Sequence, residues 1–356
     1  MAKRKKTENQ NTGSLQPQIG FNEIAEACGV SAMTVSRAMR PGASVSEATR
    51  TRILETAEKL GYQINTRQGR PRKELSGPRP VVDVLIGISI SPRSMFSSQL
   101  LVAIEQALDR HGYDCVVRYC DSGYAAFVSL CNALRLSRAE NFLVVGYFPI
   151  EQLETILTTV PRAVLVDHSG DPRLEHPCES VAIDYVEAAR QAVRHLIRQG
   201  RRKIVLLKGD TDHYFTRDIT RGFNEVLGMN GIEIIPDLLL EADFTAKGAN
   251  EVIRKALGRG LDFDAVFTND EMGVGVLRAL FDAGKSVPKD VAIVGCDALP
   301  LGEQTIPSLT SVVVDINNLA EIAVQRVLTP ASAAKDVQSV RLVPSLVIRE
   351  STQTGI

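Results

Sequence analysis

The sequence predicts an α-helical head joined to an α/β body with parallel, doubly wound sheets, and three observations carry that prediction. Up to Tyr62, short amphipathic helical stretches are punctuated by Gly29 and Gly61. From Pro80 onward, short apolar runs alternate with amphipathic helical stretches, as strand-helix-strand units do. The charge divides at the same place. Residues 1–80 carry 14 Lys/Arg against seven Asp/Glu, a net of +7, and the rest carry 27 against 35, a net of −8, all hidden in a formal net charge of −1. A basic head on an acidic body implies that the head alone meets a polyanion.

The head begins after a basic, polar tail over residues 1–16. Phe21, Ile24, Ala25 and Cys28 recur at helical spacing, and Gly29 closes that helix. Ser31 is the natural N-cap of the next, in which Val30, Val35 and Met39 face inward. Ser46 starts a third, with Ile53, Leu54, Ala57 and Leu60 on one stripe and Gly61 as its C-cap. Short helices joined by a tight glycine turn form a helix-turn-helix over residues 17–63.

The run Gly29-Val-Ser-Ala-Met-Thr-Val-Ser-Arg37, followed by Val45-Ser46, Arg50, Arg52-Ile53 and Leu60-Gly-Tyr62, resembles the head of the lactose/galactose-repressor family of bacterial regulators. The resemblance implies that Ser31, Ala32, Met33, Thr34, Ser36 and Arg37 face DNA. Thr34 and Ser36 are small donors suited to phosphates, while Arg37 can bond a guanine edge in bidentate fashion. Ala32 and Met33 stand where the family reads bases and can offer only apolar contact, as to thymine methyls.

Residues 64–78 form the expected linker. The family usually carries a hinge helix here, with a Leu wedge six residues after the Asn matched by Asn65. Pro71 occupies that position, and Gly69 with Pro71 opposes a helix. Gly69-Arg70-Pro71, flanked by Arg67, Arg72 and Lys73, instead resembles an AT-hook, whose arginine enters a narrow A·T-rich minor groove. Two readings stay open: Arg70 as a minor-groove reader, or a basic linker touching phosphates.

In the body (79–356), expected strands are Val81–Ile90, Cys115–Tyr119, Phe142–Phe148, Ala163–Val166, Val181–Ile183, Ile204–Leu207, Ala265–Thr268 and Val291–Gly295. Helical stretches include Leu100–His111, Tyr185–Gln199, Thr220–Met229 and Met272–Ala283. That length of chain suits two lobes better than one sheet. Ser91, Asp167, Asn269-Asp270 and Asp297 end strands, where parallel sheets place their ligands.

Phe267 to Arg278, Val287 to Asp297, Pro307 to Ser311 and Pro344 to Ser351 also resemble segments of the same family, possibly its gluconate branch given the Ala-Met pair. The resemblance implies a two-lobed, periplasmic-binding-protein-like sensor that dimerises and holds a small effector through Phe96, Asp167, Asn269 and Asp297. One departure stands out. The family's pocket Arg, three residues before the Gly of Arg221-Gly222-Phe223, is here Ile219, leaving Arg217 or Arg221 as replacements. His168 reads more readily as a solvated loop residue than as a pocket residue.

The expected protein is therefore a cytoplasmic, homodimeric, effector-responsive repressor of carbohydrate or sugar-acid genes, with double-stranded operator DNA as its partner. A purine-corepressed regulator is the alternative within the family; a solute-binding or sugar-converting protein is the alternative outside it. No cofactor or metal is expected. The six cysteines form no Cys-x-x-Cys pair, and the five histidines show no ligand spacing. No apolar run approaches the ~20 residues of a membrane span. Ala279 to Ser286 matches a relaxed phosphate loop, but Gly284 there reads as the C-cap of a helix.

Overall fold

A computed structural model describes residues 21–31, 34–35, 38, 45–59, 78–87, 94–120, 123–168, 170, 173–176, 178–329 and 339–353. The chain divides into two compact units, Met1–Gly77 and Pro78–Ile356.

In the first unit a helix spans Phe21–Cys28 and stops at Gly29, whose φ of 61° lets the chain turn sharply. Ser31 then caps the next turn, its Oγ accepting from Thr34 N at 3.1 Å, with Thr34, Val35 and Ala38 helical. Ser46 does the same for Thr49 N at 3.3 Å and opens the helix Glu47–Lys59. Ile24, Ala25, Cys28, Val35, Ala38, Ile53 and Ala57 make the core, with Val30 and Val45 packed on it. Ala32, Met33, Ser36, Arg37, Met39 and Leu60 lie outside the described residues, as do Asn65, Arg67, Arg70 and Arg72 of the linker.

The second unit holds two six-stranded sheets. The first contains β1 (Val81–Gly87), β2 (Asp114–Cys120), β3 (Asn141–Val145), β4 (Ala163–Val166), β5 (Glu179–Ile183) and β11 (Ser339–Leu342), in the order β11-β5-β4-β3-β1-β2 and parallel throughout. The second contains β6 (Ile204–Lys208), β7 (Leu239–Glu241), β8 (Ala265–Phe267), β9 (Ala292–Asp297), β10 (Thr310–Val313) and β12 (Ser345–Val347), in the order β12-β10-β9-β8-β6-β7. Only β12 pairs antiparallel, along β10. Each sheet is covered on both faces, as parallel sheets require. Val82, Val84 and Ile86 point to one side of β1, while Leu85 points to the other, among Phe127, Leu130 and Leu153. Val205, Leu207, Val266 and Ile293 do the same in the second lobe, against helices Ala246–Gly258 and Asp270–Asp282.

The chain passes between lobes three times: after β5, after β10, and between β11 and β12. The helix Tyr185–Arg198 lies on the second sheet, and Ile316–Leu328 on the first. Both start on an Asp cap, Asp184 accepting from Glu187 N and Asp315 from Asn318 N, each at 3.0 Å. The crossings after β5 and after β11 lie side by side, since Asp184 N donates to Leu342 O at 2.9 Å.

All eight expected strands form, Ala163–Val166 with the expected bounds and the others with different ends, residues 88–90 lying outside the described residues. Gly146, at φ 83°, ends β3 short of Phe148. The phosphate-loop match falls on a helix end: Asp270–Asp282 runs into it, Gly284 has φ 68°, and Lys285 N donates to Leu280 O at 2.9 Å. No disulfide joins the six cysteines, and burial pushes the Cys115 and Cys178 thiols up to about 11 and about 12. Among the described residues, no helix is long and apolar enough to cross a membrane.

Candidate functional site

The carboxyl ends of the strands converge between the lobes. Asp167 follows β4, His213 follows β6, Asn269 follows β8 and Asp297 ends β9. With Ser94, Phe96, Tyr185, Tyr214, Phe215 and Phe244, they line one cavity of about 410 Å³, counted to its open mouth. Asp167 and Asp297 have φ of 56° and 106°, backbone conformations that side chains rarely adopt and that folds tolerate mainly at functional sites.

Asp167 belongs to the first lobe yet accepts bonds carried by helices of the second. Tyr185 OH donates to its Oδ1 at 2.9 Å and Tyr214 OH to its Oδ2 at 3.1 Å. Burial pushes its carboxyl up to about 7 despite those bonds, which favour the ionised form. Asp297 is pushed well up as well, by burial first and then by Asp270 and Asp167. Asp270 stands behind the cavity, accepting from Ser311 Oγ at 2.6 Å and Leu299 N at 2.7 Å, and burial raises it to about 7. Asn269 Oδ1 accepts from Met272 N at 2.9 Å, so the amide NH2 is what it can offer a ligand.

The walls are aromatic. Tyr185 and Phe215 meet edge-on at 4.7 Å, and Phe244 lies 5.2 Å from the His213 ring and 6.0 Å from Phe215. Phe244 sits at φ 61° over Gly209, where an added Cβ would fall 2.0 Å from its ring; glycine is what admits that ring. His213 caps its helix through Nδ1, which accepts from Phe215 N at 3.2 Å. Its proton therefore sits on Nε2, which is buried without a hydrogen-bond partner. Burial and the nearby His168 push its ionisation down to about 3, so the ring is neutral at neutral pH. One bond outside the cavity also ties the lobes: Glu271 Oε1 accepts from Met95 N.

Phe96, Asp167, Asn269 and Asp297 thus come together, and Arg217 does not join them. Arg217 lines a neighbouring cavity with Tyr147, Phe148, Ile150, Leu153, His168 and Arg173. His168 is buried rather than solvated, because its ring packs 4.8 Å from Tyr214. Ile219 is fully buried in the core, and Arg221 pairs with Asp218 at 3.2 Å. The sequence reading missed Tyr185, His213, Tyr214, Phe215 and Phe244. The available signal was three rings in a row, His213-Tyr214-Phe215, a few residues after a strand in a chain with 5% Phe, Trp and Tyr.

A helix-turn-helix unit on one chain with a two-lobed cleft defines a ligand-responsive DNA-binding regulator. Comparison with known proteins makes the class specific. A profile described as bacterial regulatory proteins, lacI family, matches residues 21–65, and one described as periplasmic binding protein-like domain matches 193–352. The chain is 29% identical over 339 residues to the lactose operon repressor of Escherichia coli K12, covering 93% of this chain and 89% of that protein. It is 28% identical over 336 residues to catabolite control protein A of Priestia megaterium, covering 93% and 98%. Among solved structures, the CelR–cellobiose complex superposes with TM-score 0.70 at 26% identity, over 94% of this chain and 99% of that one. The lac repressor dimer bound to operator and the anti-inducer ONPF does so with TM-score 0.70 at 25% identity, over the same shares. From head to body the chain is similar to the LacI family of transcriptional regulators.

Proposed function

We propose that the protein is a homodimeric repressor that binds a palindromic operator through paired heads and leaves it when a neutral, polyhydroxylated ligand closes the cleft between its lobes. The observation that carries this reading is the convergence of Asp167, Asn269 and Asp297, with Phe96, in one cavity beneath aromatic rings. Carboxylates and an amide suit ligand hydroxyls, the buried His213 Nε2–H suits a ligand oxygen, and the rings suit the apolar face of a sugar. The solved relative with cellobiose bound supports a sugar as ligand.

The gluconate expectation fits this cavity poorly. Its acidic lining residues are Asp167 and Asp297, and among the described residues no Lys or Arg lines it. A ligand carboxylate buried there would find no cation to pair with. One second reading draws support from the same walls: a purine could stack on Phe96, Phe215 or Phe244 and act as a corepressor.

For the head, Arg37 is the polar base reader, Ala32 and Met33 touch thymine methyls, and Thr34 and Ser36 hold phosphates. Ser31 acts mainly as the helix cap, its Oγ 2.9 Å from Thr34 Oγ1. Asn65, Arg67, Arg70 and Arg72 follow into the operator centre. Titration calorimetry with neutral sugars, sugar acids and purines tests the assignment. Binding of a neutral sugar that Asp297→Ala abolishes supports it; binding confined to sugar acids overturns it, and binding confined to purines establishes the second reading.

A further inference from the structure

Beyond its carboxylates, the effector cavity holds a polar atom that the folded chain leaves unpaired. His213 lines the cavity, is only 4% exposed, and turns Nδ1 back to its own helix, where it accepts from Phe215 N at 3.2 Å. Nε2–H is then what the ring can offer a ligand. Of the buried side-chain atoms without a hydrogen-bond partner among the described residues, Nε2 of His213 is the one on a residue lining this cavity. A buried donor left unpaired weakens a fold, so one kept inside a ligand cavity points to an acceptor that the ligand brings.

The surroundings of the imidazole narrow what that acceptor can be. Tyr214, Phe244 and Tyr147 pack around it, with ring centroids at 4.4, 5.2 and 5.7 Å. Ring faces accept from an N–H only weakly, and the Tyr214 hydroxyl is already given to Asp167. The charged and titratable groups that His213 feels are His168, Asp210 and Arg217, and none of them lines the cavity. A ligand hydroxyl beside Nε2 would have its own proton turned toward aromatic rings. A ring or bridging ether oxygen accepts and has no proton to place. The hydroxyls of the same ligand are served elsewhere, by the accepting Asp167 and Asp297 and by the donating NH2 of Asn269.

We infer, on the sugar reading of the cavity, that His213 is a specificity-determining residue: its Nε2–H selects sugars that set a ring or bridging ether oxygen against it. An analogue without that oxygen leaves the donor buried and unpaired in the complex, and a hydroxyl in its place must still find an acceptor of its own. The selection is positional. The ether oxygen must reach His213 while hydroxyls of the same ligand reach Asp167 and Asp297.

The test is calorimetry on the full chain with methyl β-glucoside, lactose and cellobiose. Whichever binds is then compared with its carba analogue, in which a methylene replaces the ring oxygen, and its thio analogue, in which sulfur replaces the glycosidic oxygen. In the wild type one of the two analogues should bind about tenfold or more weakly than the parent sugar, as loss of a buried hydrogen bond requires. His213→Asn keeps a side-chain acceptor for the helix cap but withdraws the donor, and should bind parent and analogue alike, at the weaker level. His213→Gln, whose amide N–H reaches about as far as Nε2, should recover part of the affinity and of the discrimination. Wild-type binding of both analogues as tight as that of the parent overturns the inference without recourse to any variant, and so does parent affinity unchanged in His213→Asn. Both of those outcomes leave the sugar reading standing; failure of all three sugars to bind overturns that reading and the role of His213 with it.

Discussion

Replacing Glu271 should loosen the cleft without touching the ligand. Its carboxylate accepts the Met95 N–H at the start of the 16-residue helix Met95–Arg110, whose cap residue Ser94 makes no side-chain capping bond. A helix N-terminus carries partial positive charge, so a carboxylate from the opposite lobe completes it. A hydrogen bond to a charged group is worth ~1.5–3 kcal/mol. Partial exposure of both residues argues for the lower part, about 1.5–2 kcal/mol, or a factor of roughly 10–30 in the closed-to-open ratio. With the free wild-type cleft divided between closed and open forms, ligand affinity falls by up to the same factor. Glu271→Gln keeps a neutral acceptor and should lose less than Glu271→Ala. Small-angle scattering of the unliganded chain should show a larger radius of gyration in Glu271→Ala, and calorimetry the matching loss of affinity. Unchanged radius together with wild-type affinity would refute the reasoning.

Further predictions follow from the same cleft and head. The Asp167, Asp270 and Asp297 carboxyls are all raised by burial, so the folded chain binds more protons than the unfolded one between about pH 4 and 7. Stability therefore falls as pH rises through that window. The lowered His213 opposes this below about pH 6.5. Asp297→Asn should accordingly raise the thermal midpoint at pH 8 and flatten its pH dependence; identical profiles for variant and wild type would contradict the assignment. Gly209→Ala should displace the Phe244 ring, weakening ligand binding while the half-exposed ring yields and the fold persists, as calorimetry and circular dichroism would report. Arg37→Ala should cost ~1–3 kcal/mol of operator binding and erase preference at one base pair, read by anisotropy on operator variants. A uniform loss on every sequence would reduce Arg37 to a phosphate contact.

Much of this architecture is written locally. Gly29, Ser31 and Ser46 act within a few residues of themselves, so the turn and caps of the head could be read directly. Asp167, Asn269 and Asp297 could be placed because a parallel sheet delivers residues at strand ends to one side. What could not be read depends on distant pairing. β7, β11 and β12 are three or four residues long and form only because a neighbouring strand is in place. Tyr185 looks like an ordinary buried helix residue until its hydroxyl meets Asp167, 18 residues earlier. His168 looked solvated because its partner, Tyr214, lies in the other lobe. The charge of Arg217 points to a place among the effector residues, but its helix turns it into the adjacent cavity.

The central claim is that a ligand between the lobes controls the head. The direct measurement is operator affinity of the full-length chain, by fluorescence anisotropy, with and without a saturating ligand from the calorimetric panel. The account predicts a change of about 5–150-fold in the wild type, the range of ordinary allosteric coupling, and none in Asp297→Ala at the same ligand concentration. A ligand that binds the body and leaves operator affinity unchanged would contradict it.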